Sequence, residues 1–204
     1  AISTLEDVKY LILSKEEQEK EEFQQKQQQI EAEDIKRDNK RLVIGLSNLT
    51  NHAGASSLTN MLVRQLINHN YNAVGFEMFR QDLIFYHDDK HYISILSKLE
   101  LEQNLKLYES VDAVIIDIND FSEADKYCEY ILYLVEPSYI MLTKLLKKNK
   151  NAFLDHKEDM IVLNKSFVNV QEIADFEYET KVKGFANVPP LNDRNTDIAE
   201  VNDL

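Results

Sequence analysis

Residues 41–60 read RLVIGLSNLTNHAGASSLTN, a strand, a loop and the opening of a helix in twenty positions. Positions 42–46 form a short apolar run of the kind that makes a buried parallel strand. A loop comes next, ends at Gly54, and gives way to a helical pattern opening on Ala55, Ser56 and Ser57. Such a strand–loop–helix points unpaired backbone N–H groups and the positive end of a helix dipole at one spot, which suits an anion. Phosphate-binding loops of this shape add a lysine ammonium against the β- and γ-phosphates. Here that position holds Ala55.

From residue 41 onward, apolar runs alternate with amphipathic stretches. The runs cover 42–46, 73–78, 113–118, 131–135, 160–163 and 182–186; the amphipathic stretches cover 55–68, 98–109, 122–129, 137–149 and 169–176. Continuous apolar strands alternating with helices predict an α/β fold, a doubly wound and mostly parallel sheet covered on both faces. Right-handed crossovers then place ligands at the carboxyl ends of the strands. Four glycines and three prolines imply short loops. Segment 81–97 shows neither a helical nor a strand period.

Residues 1–40 differ in kind. Positions 14–40 are rich in Glu, Gln and Lys, lack Gly and Pro, and favour helix. Phe23, Ile30 and Ile35 are too sparse for a heptad seam. A helical linker or dimerisation extension is expected over 1–40, ahead of a domain over 41–204. Leu5, Val8, Leu11 and Ile12 recur at helical spacing. They can dock on the domain, dimerise, or end a preceding domain, and a chain starting without Met leads us to expect an upstream piece.

Composition narrows the function classes. A net charge of −13 across 204 residues repels DNA and anionic lipid, so no direct nucleic-acid partner is expected. No apolar run approaches the ~20 residues of a membrane helix, and direct membrane insertion is not expected either. The lone Cys128 excludes an intrachain disulfide and agrees with a reducing cytoplasm. The tail, 197–204, is acidic and lacks a basic amphipathic anchor.

Read in order, the landmarks resemble the deviant-Walker-A ATPases of the MinD/ParA superfamily over residues 41–194. NHAGASSLTN at 51–60 stands where that family has its glycine-rich loop, and AVGFEMFRQ at 73–81 is placed like its second strand. VDAVIIDIND at 111–120 looks like its apolar strand ending in an aspartate, here Asp117. MIVLNK at 160–165 resembles the strand whose terminal Asn reads adenine, here Asn164. GFANVPPLNDR at 184–194 matches a late strand ending in a proline-containing turn, which implies Pro189 as a nucleotide-side residue. The resemblance implies ATP or ADP with Mg²⁺ at Gly54, Ala55, Ser56, Ser57, Asp117 and Asn164. Ser56 would touch the metal, with Asp117 behind it through water.

Ala-Ser-Ser at 55–57, in place of Lys-Thr-Thr, is similar to the TadZ/CpaE branch, whose members help localise the type IVb (Flp/Tad) pilus machine. That likeness implies a homodimer, an envelope-machine partner and recruitment to the membrane through that partner. The departures bear on chemistry. The family's first lysine falls at Thr50 and its second at Ala55, and its paired glycines are Asn51 and His52. Losing one such cation costs roughly 10³–10⁵ in phosphoryl-transfer rate, so hydrolysis is not expected and no catalytic residue is assigned. The alternatives are an active partitioning or positioning ATPase, or a pseudo-ATPase subunit of a conjugation or secretion complex.

The remaining polar features have bland readings beside the functional ones. Glu77 is expected in a salt bridge or on a solvated rim. His87, Asp88, Asp89 and His91 form either a solvated loop or a metal site. Lys144, Lys147, Lys148 and Lys150 either complement a helix dipole or dock an acidic partner.

Overall fold

The structure, a computed structural model, describes residues 41–86, 90–119 and 121–190. The 1–40 extension, the acidic 197–204 tail, and His87, Asp88 and Asp89 lie outside the described residues.

Among the described residues seven strands form one parallel sheet. In chain order, β1 (Leu42–Asn48) is followed by α1 (Ala55–Asn68), β2 (Ala73–Met78) and β3 (Tyr92–Ile95). Then come α2 (Lys98–Leu107), β4 (Ala113–Asp117), β5 (Tyr130–Val135) and α3 (Tyr139–Lys148). A single turn, α4 (Ala152–Asp155), precedes β6 (Met160–Asn164), α5 (Val170–Thr180) and β7 (Gly184–Val188). The strand order is β3-β2-β4-β1-β5-β6-β7, and every pairing is parallel.

The strand pattern explains the two-sided cover. Along β4, Ile115 packs with Leu46, Leu58 and Val63 on the α1 face. Its neighbours Val114 and Ile116 point the other way, into Val43, Phe76, Met78 and Leu101. Side chains alternate with a period of two, so an all-apolar strand requires helices on both faces. In α1, the buried residues Ala55, Leu58, Thr59 and Val63 fall on one face at helical spacing. A third cluster around Phe153, Ile161, Leu163 and Phe176 closes the β6 end.

Three local expectations are revised. Segment 81–97 holds a 3₁₀ turn (Leu83–Tyr86) and the edge strand β3. That strand is only four residues long and is fixed from outside: the Tyr92 hydroxyl donates to Asn60 Oδ1 at 2.6 Å, from a buried asparagine on α1. The 122–129 stretch tightens into a 3₁₀ helix over Ser122–Tyr127. The last strand runs Gly184–Val188, two residues later than 182–186, and carries a register irregularity opposite Ile161 and Val162.

Gly45, in central β1, has no room for a side chain. A Cβ there would lie 2.5 Å from Ile118 Cδ1 and 2.9 Å from Cys128 Sγ. Gly45→Val is therefore expected to destabilise the fold by about 1–3 kcal/mol, the usual range for overpacking. Urea unfolding measures this directly, and an unchanged midpoint would contradict the packing described. Burial pushes the Cys128 thiol up to about 12, so this cysteine packs rather than reacts.

Candidate functional site

β1 lies between β4 and β5, where the chain stops adding strands on one side and begins adding them on the other. Ligands of open α/β sheets settle at this reversal, beyond the carboxyl ends of the strands. The registers bring polar residues together there. Glu77 of β2 and Leu46 of β1 are both level with Asp117 of β4, and Asn164 ends β6.

The loop from β1 to α1 is tied down at several points. The Leu49 and Thr50 amides donate to the Leu134 carbonyl at 2.9 and 3.3 Å. The buried Thr50 hydroxyl accepts the Glu136 amide at 2.8 Å. Thr50 is thus a strut between the loop and the end of β5. Gly54, at φ 100° and ψ 34°, turns the chain into α1 in the left-handed region that glycine enters most freely. Gly54, the N-cap, brings no side-chain acceptor of its own, and the first turn of the helix carries no acid. The Ala55 amide reaches back to Asn48 Oδ1 at 3.2 Å. That neutral side-chain oxygen occupies the first amide of α1.

Two clasps come from the far side of the sheet. Asn164 donates through Nδ2 to the Ala53 carbonyl at 2.6 Å, and Lys165 Nζ donates to the His52 carbonyl at 2.8 Å. A Cβ on Gly54 would meet Asn164 Nδ2 at 2.9 Å and Lys165 Cε at 3.1 Å. The loop owns no lysine at position 55, yet a lysine from the end of β6 reaches it.

On the other flank, Ser56 Oγ donates to Asp117 Oδ2 at 2.6 Å. The two side chains touch directly. Asp117 Oδ1 accepts the Asn119 amide at 3.2 Å, and Asn119 Nδ2 in turn donates to the Met78 carbonyl at 2.9 Å. Burial raises Asp117 from its ordinary 3.8 to about 6, although the Ser56 and Asn119 hydrogen bonds and the Arg80 charge oppose that rise.

Among the described residues Glu77 is neither rim residue nor salt-bridge partner. It is fully buried; its Oε2 accepts the Leu83 amide at 2.9 Å, and its Oε1 stands 3.5 Å from Ser56 Oγ. Burial likewise raises its pKa, with the negative charge of Asp117 adding to the effect. A hydroxyl flanked by a carboxylate is a hard-oxygen donor set that fits Mg²⁺.

These groups border a cavity of about 700 Å³ lined by Asn48, His52, Gly54 to Ser57, Arg64, Arg80, Asp82, Phe85, Tyr86 and Lys165. That volume lies in the usual range for small-ligand sites. Gly54, Ala55, Ser56 and Ser57 all line it. Asp117 sits just beneath, through Ser56. Asn164 holds the loop from outside the lining. Pro189 is exposed beyond β7 and does not line the cavity. Lys144 and Lys148, from the basic stretch on α3, border a separate cavity of about 250 Å³ together with Asn48 and Asn51.

Sequence pattern alone assigns no role to Asn48, Arg64, Arg80, Lys165, Phe85 or Tyr86. Only Lys165 carries a signal, as the residue directly after Asn164. Among the described residues no cluster of three or more His, Cys, Asp or Glu is suited to hold a metal by itself, and no helix is long and apolar enough to cross a membrane.

No protein-family model and no curated protein sequence matches the chain. Solved structures do. A ParA family ATPase from Chlorobium tepidum TLS superposes with a TM-score of 0.57 at 12% identity, over 76% of this chain and 86% of that one. A putative plasmid partition protein from Borrelia burgdorferi B31, bound to AMPPNP, superposes with a TM-score of 0.54 at 13% identity, over 80% and 94%. This is a ParA-like P-loop fold. At such identities the likeness concerns the fold alone, and the chemistry of the site rests on this chain's own residues.

Proposed function

We propose that this ParA-like chain binds ATP or ADP with Mg²⁺ on the 49–57 loop and uses it as a conformational ligand without useful turnover. One observation carries the reading. Ser56 and Asp117 keep a 2.6 Å metal-type pairing beneath a glycine cradle, while position 55 has no lysine. Thr50, where the family's first lysine falls, is buried and bonded to β5 and cannot reach across to a partner.

Binding asks less of a site than hydrolysis. Loop amides and a helix dipole hold phosphate oxygens; accelerating γ-phosphate transfer also needs cations against the charge that develops there. A ligand that binds one conformation better shifts the population toward it, so a site without turnover still works as a switch. The protein would then act as a homodimeric localisation scaffold for a cell-envelope machine. Ala55-Ser56-Ser57 supports the TadZ/CpaE branch, and with it a type IVb pilus assembly partner at the inner face of the membrane.

A second reading, an active partitioning-type ATPase, draws on Arg64, Arg80 and Lys165 in the cavity wall. Phosphate release at saturating MgATP, run beside sedimentation velocity, separates the two. The scaffold reading expects release at the buffer rate and a nucleotide-dependent shift to dimer. Sustained release that disappears in Ser56→Ala would establish the enzyme instead.

A further inference from the structure

Three cations line the cavity, and their placements differ. Lys165 Nζ lies on the His52 carbonyl, on the β6 side of Gly54. Arg64 donates through Nε to Asn60 Oδ1 at 3.1 Å, which draws it back along α1. Arg80 sits at the carboxylate end. It leaves β2 three residues after Glu77, the strand position level with Asp117. It lines the main cavity and also a smaller one of about 150 Å³ shared with Asn48, Asn51, His52 and Asn119. It therefore faces the loop from the side where β4 ends.

The backbone reinforces this placement. Phe79, the residue before Arg80, has φ 57°, a left-handed conformation uncommon for a bulky side chain. It is held there by a 2.8 Å bond from its amide to the Ile95 carbonyl and by an edge-on contact of its ring with Phe121 at 5.1 Å. Strain of this kind persists only where the surroundings enforce it, and it gathers at ligand sites.

We infer that Arg80 supplies, from the end of β2, the phosphate-binding cation that the loop itself lacks. The assignment rests on the nucleotide reading above and adds to it the group that recognises the phosphate chain. A guanidinium suits the task, because its planar fork matches two phosphate oxygens and stays charged at every working pH. Arg80 also acts electrostatically on Asp117, which places its charge on the metal-binding side of the loop. The ligand class is then nucleotides with at least two phosphates, preferred over a monophosphate.

Calorimetry on the full chain with Mg²⁺ and ATP, ADP or AMP provides the test, using Arg80→Ala, Arg80→Lys and Arg64→Ala. Arg80 is exposed, so its substitution leaves the core intact. Arg80→Ala should weaken ATP and ADP by about 10- to 100-fold, the range for a lost hydrogen bond to a charged group, and change AMP less than about 3-fold. Arg80→Lys should recover part of the loss, and Arg64→Ala should cost less than Arg80→Ala. Wild-type binding with Arg80→Ala unaffected, or with ATP and AMP weakened equally, would overturn the assignment while sparing the nucleotide reading. A wild type that takes no nucleotide would overturn both.

Discussion

Gly54→Ala is expected to abolish nucleotide binding and to lower the melting temperature by roughly 5–10 °C, given about 2–4 °C per kcal/mol for a chain of this size. Two costs add. An alanine forced to φ 100° meets the Cβ–carbonyl crowding that makes left-handed backbone unfavourable by about 1–2 kcal/mol. Its methyl would also lie 2.9 Å from Asn164 Nδ2, which cannot withdraw without breaking its 2.6 Å bond to the Ala53 carbonyl. Leaving that buried carbonyl unpaired costs roughly 1–3 kcal/mol more. The alternative is for the loop itself to shift, which spoils the cradle. Differential scanning calorimetry and nucleotide titration on one preparation read both effects. A variant that melts and binds like the wild type would show that Gly54 is not the pivot of the loop.

Asp117→Asn should change stability in a way that depends on pH. The folded protein holds the Asp117 proton up to about pH 6, whereas the unfolded chain releases it near 3.8. The stability this group contributes is therefore complete below about pH 4 and is lost as pH rises through 6. At pH 7.5 a buried carboxylate is left ionised beside Glu77 and Asp82, with Arg80 as the opposing charge. Removing that charge is worth about 2–3 kcal/mol at pH 7.5 and almost nothing at pH 4. At either pH the amide Nδ2 must face the Asn119 N–H that Asp117 Oδ1 accepts, which costs about 1–3 kcal/mol. The expected signal is therefore a gain on the wild type between pH 4 and 7.5. The asparagine oxygen can still accept from Ser56. Under the proposed function, Mg²⁺-dependent binding should disappear with the charge of Asp117. Melting curves from pH 4 to 8 decide the matter, and a variant that does not gain on the wild type between pH 4 and pH 7.5 would contradict the assigned burial.

The parts of the fold legible in the sequence are those governed by local apolar pattern. The runs at 42–46, 113–118 and 160–163 have no competing reading, and Gly54 with the Ala55-Ser56-Ser57 opening marks the turn into α1. Strand β3 escapes because four residues at an edge carry too little period. What holds it is the hydroxyl of Tyr92 on Asn60, thirty-two residues away in sequence.

The site divides along the same line. The placement of Ser56 and Asp117 side by side is legible because each stands at an element end. Glu77 is misread because its run gives no sign of a buried amide partner at Leu83. Asn164 does reach the loop, yet its Nδ2 is engaged on the Ala53 carbonyl, so it acts as a clasp. Asn48, Arg80 and Lys165 escape for one physical reason. Lys165 returns to the loop from the end of β6, Arg80 borders the same cavity after β2, and Asn48 folds back from the end of β1 onto Ala55; no periodicity within a window reports such a return.

The backbone amides of Gly54, Ala55, Ser56 and Ser57 offer the most direct measurement, by ¹H–¹⁵N NMR during titration with MgADP. A retained anion cradle predicts that these four signals move furthest and saturate together, as the Ala55 N–H exchanges Asn48 for a phosphate oxygen. Unmoved signals at a saturating ligand concentration, or shifts centred on another part of the sheet, would contradict it.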